Sequence, residues 1–164
     1  MFLWYNTKME VENKNLNKHN IHKVLAHSYT AYFILLLIGV YLDFVFQFKI
    51  FQDPVMIPVG FLFLVFATVV IIWAQKTGRD LRKVEEVKTE HFCRGPYCYT
   101  RTPTHWGLFF LVLGFGIIAN ALFVILSTIV SFIISKFIFI KKHDEILVEK
   151  YGDAYSEYKK LVKF

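Results

Sequence analysis

The chain has 164 residues, of which 55% are hydrophobic and 18 are Phe, and its formal net charge is +6. This length fits one domain. A basic soluble protein would suggest a nucleic-acid partner, but here the charges separate long apolar runs, which is typical of an integral membrane protein. The composition therefore argues against a nucleic-acid partner and predicts that the chain contacts the lipid bilayer.

Two apolar runs in the first half of the chain are each long enough to cross a membrane. They cover residues 29–48 and 55–74, and about 20 helical residues span the roughly 30 Å hydrocarbon core. We predict a transmembrane helix for each, after a cytoplasmic or interfacial arm at residues 1–27. The arm has neither the leading basic region nor the long apolar core of a cleaved signal peptide. Asp43 falls in the outer third of the first run, where an acid is either functional or reaches the headgroups.

The third apolar run, residues 106–140, is too long for one crossing. Thirty-five helical residues would reach about 52 Å. We therefore predict two short helices at 105–120 and 122–140, joined by a tight turn. The weak points in the run are Gly114, Gly116 and Asn120, and we expect the two glycines to permit close helix packing.

The distribution of basic residues predicts which segments share a side of the membrane. Four lysines precede residue 28, seven Lys or Arg lie in 76–101, and six lysines follow from Lys141 onward, whereas Lys49 alone separates the first two runs. Basic segments prefer the cytoplasm. The sequence thus predicts an all-α polytopic fold with about four transmembrane helices, the last two a tight hairpin, and an amphipathic C-terminal helix. Both termini and the central loop are expected in the cytoplasm.

This pattern predicts a single domain, residues 1–164. After the arm come the first two spans (28–75), a cytoplasmic loop (76–104), the helical hairpin (105–140) and a helical tail (141–164).

Both cysteines, Cys93 and Cys98, fall in the central loop. A cytoplasmic loop should keep them as reduced thiols. His91 and His105 are close in sequence, but the C-x4-C spacing matches no strong zinc pattern, so we predict no metal site.

The stretch RGPYCYTRTPTHWG, residues 94–107, is rich in residues that end or begin helices. Thr102 followed by Pro103 predicts the start of the third membrane helix, because Pro is favoured at the first helical position. The helix start and the Arg101 guanidinium beside it suit an anion at the membrane surface. The aromatic residues around them either stack on a planar ring or anchor the loop at the interface. An interfacial basic loop without a ligand remains the alternative interpretation.

The tail alternates apolar and charged residues with helical spacing and contains Gly152, so we predict an amphipathic helix or a helix pair broken there. His143, Asp144 and Glu145 lie just after the hairpin, on the side of the central loop. Their carboxylates are expected to meet the cations of the loop or the ammonium group of a ligand.

Two motifs in the C-terminal half, residues 89–162, resemble the isoprenylcysteine carboxyl methyltransferase and phospholipid methyltransferase family. The first has the pattern G-P-Y-x-Y-x-R-x-P with a later glycine, and the second pairs acidic residues with an aromatic-Gly pair and Y-x-x-Y. The matching residues are Gly95, Pro96, Tyr97, Tyr99, Arg101, Pro103 and Gly107, then Leu147, Tyr151, Gly152, Tyr155 and Tyr158.

The resemblance implies an integral membrane enzyme that transfers a methyl group from S-adenosyl-L-methionine, held between the loop and the start of the tail. The helix start and Arg101 would take the methionine carboxylate, aromatic faces the adenine, and Asp144 or Glu145 the α-ammonium. The implied catalytic residues are Arg101 and His105. The implied cofactor-binding residues, within Thr89 to Phe92, the loop and the tail, are Glu90, His91, Tyr97, Arg101, Thr102, Pro103, Thr104, His105, Asp144 and Glu145.

The chain departs from the family pattern at positions that bear on the acceptor. Thr102 stands where the family has His, and His105 where it has Tyr, while the family's arginine ahead of the acidic cluster falls near Phe139. Lys141 or Lys142 would have to supply that charge.

By resemblance we expect carboxyl O-methylation of a lipophilic, isoprenylcysteine-like or prenylated acceptor, which needs no base. For an amine acceptor, His105 or His91 is the candidate base. The alternatives are a phospholipid-type N-methyltransferase and a non-enzymatic membrane scaffold or transport subunit whose basic loops bind anionic lipid.

Overall fold

The computed structural model describes residues 23, 26–51, 55–81 and 89–162, and all regular structure in these ranges is helical. The predicted arm at 1–27 therefore lies almost wholly outside the described residues, as does part of the central loop. The elements in chain order are α1 (Ala26–Phe46), α2 (Met56–Leu81), α3 (Thr89–Phe92), a 3-10 turn (Gly95–Cys98), α4 (Pro103–Ile118), α5 (Leu122–Ile134), a π-helical segment (Ser135–Ile140), α6 (Lys141–Tyr151) and α7 (Asp153–Leu161).

Three of these helical stretches are long and apolar enough to cross a membrane. They are Ala26–Phe46, Met56–Asp80 and the continuous helix Leu122–Tyr151, while α4 is apolar but shorter, at 16 residues. Large apolar side chains such as Phe44, at 77% exposure, and Leu62, at 70%, point away from the rest of the chain. Apolar surface on this scale belongs in lipid. The chain is therefore an all-helical membrane protein, as its composition predicted.

The predicted hairpin in the third apolar run is confirmed. Helix α4 ends at Ile118, and α5 begins at Leu122 after a turn in which Asn120 has φ +52°. Asn tolerates this left-handed conformation better than most residues. The chain turns at Asn120, whereas Gly114 and Gly116 lie within α4.

Two predicted helix ends differ from the structure. Helix α2 runs to Leu81 rather than stopping near residue 74, because its polar last turns continue the helix beyond the apolar run. The expected break at residue 140 is absent from the described chain, since α5, the π-helical segment and α6 form one helix of 30 residues. At 1.5 Å per residue it measures about 45 Å, longer than a hydrocarbon core of roughly 30 Å. Part of this helix must therefore extend beyond the hydrocarbon.

Gly60 and Gly114 bring α2 and α4 into backbone contact, the close helix packing predicted at Gly114. A Cβ at Gly114 would lie 2.8 Å from the Gly60 carbonyl oxygen, and a Cβ at Gly60 would lie 2.8 Å from that of Gly114. Contacts this short leave no room for a methyl group. The two glycines thus determine how closely the helices pack.

Asp43 and Asn120 make the hydrogen bonds that hold together the end of the molecule at which the hairpin turns. We call this end, with Asp43, Ile50, Phe51 and residues 120–124, the turn end. The Asp43 carboxylate accepts the N–H groups of Phe123, at 3.1 Å, and Val124, at 2.8 Å. The Asn120 amide accepts from the backbone of Ile50 and Phe51 and donates to the Phe51 carbonyl. Asp43 is therefore a cap on the first turn of α5, neither of the two roles considered from sequence.

The opposite end brings the central loop and the tail together, and we call residues 89–106 with 135–162 the loop–tail end. Gly152, with φ +58°, separates α6 from α7, which confirms the predicted break. Helix α7 folds back so that Tyr155 and Tyr158 bury their rings against Phe92 of α3. This small aromatic core fixes the loop on the tail.

Candidate functional site

The central loop is closed on itself by a disulfide between Cys93 and Cys98, whose Cα atoms are 4.4 Å apart. The expectation that both are reduced thiols is therefore wrong for this structure. The physical reason is local: the 3-10 turn that begins at Gly95, where φ is +55°, brings the two residues together. A Cβ at Gly95 would also lie 2.9 Å from the Trp73 indole nitrogen of α2. The turn is thus held against α2 as well as closed by the disulfide.

Arg101 and Asp144 form the charged centre of the loop–tail end. The Arg101 guanidinium contacts Oδ2 of Asp144 directly, although the two residues are 43 positions apart. Asp144 is only 3% exposed. Its other oxygen accepts a hydrogen bond from the Tyr155 hydroxyl at 2.6 Å, and Lys159 Nζ lies 3.7 Å from Oδ2. The buried carboxylate is therefore matched by opposite charge and a strong donor, as burial requires.

Tyr155 and Tyr158 act as neutral hydroxyl donors. Burial raises the pKa of Tyr155 well above its usual value, and the hydrogen bond to Asp144 raises it further. Burial likewise raises the pKa of Tyr158, whose hydroxyl donates to the Tyr97 carbonyl oxygen at 2.5 Å. Both phenols therefore stay protonated, and each ties the tail to a different part of the site.

Helix α4 begins at Pro103 with Thr102 at the preceding position, as predicted. Within the described chain, however, the Thr102 hydroxyl makes no capping hydrogen bond to this helix. Instead, the Thr100 hydroxyl accepts the Thr102 N–H at 3.3 Å. Thr102 and Pro103 are both buried, and Thr104 is half-buried. The helix start lies directly beside Arg101, where an anion was expected.

His105 lies in the first turn of α4 and contacts Ser28 of α1. It is 4% exposed, its Nε2 is 3.2 Å from the Ser28 hydroxyl, and that hydroxyl is 3.1 Å from the Ser135 hydroxyl. The Tyr29 ring stacks on the imidazole. Its Nδ1 is buried and has no hydrogen-bond partner in the described part of the protein. The structure therefore places this predicted catalytic residue in a buried polar contact between α1, α4 and the π-helical segment.

The remaining predicted site residues are spread around the charged centre. Glu90 is exposed and His91 half-buried on α3, where the neighbouring Thr89 hydroxyl donates to Glu157 of α7 at 2.9 Å. Tyr97 contributes its backbone carbonyl to the site. Glu145 is exposed, so Asp144 is the acid that meets the loop cation. The structure thus brings Arg101, Thr102, Tyr97 and Asp144 together.

A cleft of about 290 Å³ opens beside the charged centre. It lies between the start of α4 and the long helix that continues α5, with α7 at one side. The cleft walls are largely aromatic and aliphatic, and the described lining also contains four cationic side chains and one carboxylate. Its lining residues are Arg101, Thr102, Trp106, Phe132, Lys136, Phe137, Ile140, Lys141, Asp144 and Lys159.

Sequence reasoning missed several of these residues. Lys136 stands alone inside the third apolar run, and an isolated lysine in a membrane segment is a signal of function that was available from the sequence. Lys159 and Phe132 carry no such signal, because only the folded positions of α7 and α5 bring them to the cleft. Tyr155 belongs to the motif that resembles the methyltransferase family, but only the structure shows that its hydroxyl donates to Asp144.

Comparisons of the chain with family models, with curated proteins and with solved structures find no match. Within the described residues, no group of three or more His, Cys, Asp or Glu side chains is arranged to hold a metal ion.

Proposed function

We propose that the protein is a membrane-embedded methyltransferase that uses S-adenosyl-L-methionine and acts on a lipophilic acceptor. The donor would bind at Arg101 and Asp144, with the acceptor in the adjoining cleft. The motif resemblance motivates this proposal. The observation that carries it is the direct contact between Arg101 of the loop and Asp144 of the tail.

This contact joins the two halves of the motif. In the sequence they are separated by the whole helical hairpin, and nothing in a merely interfacial basic loop requires them to meet. In the structure the contacts that hold the loop on the tail include Asp144 with Arg101, Tyr158 with the Tyr97 carbonyl, and Phe92 within the tyrosine cluster. A donor site between loop and tail needs this arrangement.

The charges suit the amino-acid part of the donor. A methionine group carries a carboxylate and an ammonium on one carbon, so it needs a cation and an anion close together. Arg101 offers a planar guanidinium for the carboxylate, and Asp144 offers a carboxylate for the ammonium. The exposed aromatic Tyr99 and the half-buried Tyr97 lie in the same loop and offer faces for a purine ring.

Bound S-adenosyl-L-methionine would supply an electrophilic methyl group on a sulfonium. The task of the protein is then to orient donor and acceptor, because an in-line displacement gains most from near-attack positioning. An ionised carboxylate acceptor needs no base. This fits the burial of His105 against Ser28, outside the described cleft lining. An amine acceptor would require a base, and neither of the two candidates, His105 and His91, is among the described lining residues, which favours a carboxylate acceptor.

For the topology, we propose four crossings with the loop–tail end in the cytoplasm. The loop and the tail touch in the structure and carry most of the basic residues, which prefer that side. Cytoplasmic disulfides are usually transient. In this arrangement Cys93 and Cys98 should resist impermeant thiol reagents in intact cells and react after permeabilisation with a reductant. Labelling in intact, reductant-treated cells would place the loop outside.

The test of the function is donor binding by the purified protein in detergent. Arg101→Gln should weaken binding of S-adenosyl-L-methionine by about 1.5–3 kcal/mol, the range for a charge-assisted hydrogen bond. Arg94→Gln is the matched control, because Arg94 is an exposed arginine of the same loop. Equal affinity in the Arg101 and Arg94 variants would move the donor site elsewhere, and absence of binding by the unaltered protein would refute the proposal.

A further inference from the structure

The cleft beside Asp144 is lined by both apolar and cationic side chains. Trp106 and Phe132, with ring centroids 4.7 Å apart, form an apolar floor together with Phe137 and Ile140. Lys136, Lys141 and Lys159 line the same cleft. An apolar surface bordered by ammonium groups is complementary to an amphiphile with an anionic head.

The balance of charge points to an anion. Among the described lining residues Asp144 is the single acid, against the four cations Arg101, Lys136, Lys141 and Lys159. This excess of positive charge favours an anionic head over an ammonium head. A carboxylate or phosphate head would find Lys141, which is exposed, and Lys159, whose side chain is 43% exposed and whose Nζ lies 3.7 Å from Asp144 Oδ2.

The position along the long helix argues for a membrane ligand rather than a soluble one. Phe132 belongs to α5, and Lys136 to Lys141 follow on the same continuous helix toward the tail. The cleft thus runs from the apolar part of a candidate span to its charged continuation. An amphiphile lying in a bilayer has its chain and its head at these two levels.

The geometry points to the cleft as a binding site for an anionic amphiphile, with Lys141 and Lys159 as the residues that select its head and Trp106 and Phe132 contacting its apolar chain. This inference deepens the proposed function, on which it rests for the role of the ligand as methyl acceptor. Binding itself needs no donor. It can therefore be tested separately.

The experiment uses Trp106 as a reporter within the cleft. The full chain carrying Trp4→Phe and Trp73→Phe retains Trp106 as its one tryptophan. It is titrated in neutral detergent with a brominated long-chain fatty acid, with the corresponding brominated amine, and with a short brominated carboxylate. We expect saturable quenching by the fatty acid at concentrations about tenfold lower than for either of the others. Equal quenching by the amine would overturn the preference for an anion, and equal quenching by the short acid would overturn the membrane amphiphile.

Two double variants that remove the same amount of charge distinguish a specific role of Lys141 and Lys159 from a general electrostatic effect. Lys141→Gln with Lys159→Gln should weaken fatty-acid binding about tenfold, whereas Lys142→Gln with Lys160→Gln alters the exposed neighbours of the same two positions and should not. Lys141→Arg with Lys159→Arg should retain binding because the charge is kept. Equal loss in both glutamine variants would overturn the assignment of these two lysines.

Displacement of a labelled fatty acid from the unaltered protein by unlabelled acid or amine gives the same comparison without any substitution. If the amine displaces the label as well as the acid does, the inference fails. If the acid is selected but S-adenosyl-L-methionine is not bound, the methyltransferase proposal fails and the proposed anion-binding cleft stands.

Discussion

Asp43 at the turn end and Asp144 at the loop–tail end are two acids placed among helices, and their partners differ. Asp43 accepts two backbone N–H groups of α5, whereas Asp144 is held by the side chains of Arg101 and Tyr155. Backbone groups of a helix start are fixed in place. Side chains, in contrast, can rotate and exchange one partner for another. The Asp43 carboxylate is therefore structural, whereas the partners of the Asp144 carboxylate could be replaced by a ligand.

The two ends also differ in what surrounds the acid. At the turn end, Asn120 fastens the α1–α2 connection at Ile50 and Phe51, and Gly60 and Gly114 leave no space between helices. At the loop–tail end, a cleft opens next to the charged pair. The molecule is therefore closely packed where it turns and open where the loop meets the tail.

The largest effect should come from breaking the charged pair. Asp144→Ala leaves the guanidinium of Arg101 in a largely buried position, and we expect the free energy of unfolding to fall by about 3–5 kcal/mol. Unfolding in mixed detergent, followed by circular dichroism, measures it. The double variant Arg101→Gln with Asp144→Asn should recover part of the loss. A double variant no more stable than Asp144→Ala would show that the two charges are not coupled.

A smaller effect should come from filling the helix contact at the turn end. Gly114→Ala places a methyl group 2.8 Å from the Gly60 carbonyl oxygen, and we expect a loss of about 1–3 kcal/mol, as for other overpacked sites. Gly78→Ala in α2 is the control, since its Cβ would meet the Tyr97 hydroxyl at an ordinary 3.4 Å. Equal thermal stabilities for the two variants would contradict the close contact.

The smallest effect should come from the cap on α5. Asp43→Ala removes the acceptor of two N–H groups, and capping residues contribute about 1 kcal/mol, up to about 2. Asp43→Asn keeps one carbonyl acceptor and should lose less. Neither variant should change donor binding, because Asp43 belongs to the turn end. A loss of S-adenosyl-L-methionine binding in Asp43→Asn at unchanged stability would show that the two ends are coupled, contrary to this prediction.

The sequence predicted those features that depend on local pattern. The apolar runs, the helix start at Thr102 and Pro103, the turn near Asn120 and the break at Gly152 each follow from the preferences of a few neighbouring residues. The expected meeting of an acid near residue 144 with a loop cation is also seen in the structure. The sidedness of the loop and the identity of the donor stay predictions.

The features that escaped prediction depend on contacts between distant segments. Asp43 looked like an isolated acid because its partners lie about 80 positions away on α5. His105 looked available for chemistry, but α1 supplies Ser28 and buries it. Periodicity and spacing carry no information on such distant pairings. The disulfide is a local exception: its cysteines are five positions apart, and the pairing was discounted only because the loop was expected in the cytoplasm.

The contact between Arg101 and Asp144 has a consequence for membrane insertion. The two residues enclose the whole helical hairpin, and Tyr155 follows Asp144 by 11 positions. In the proposed four-crossing topology Arg101 is synthesised before the hairpin and Asp144 after it, so the ion pair can form only once α4 and α5 are both in place. The finished ion pair would thus mark a completed hairpin.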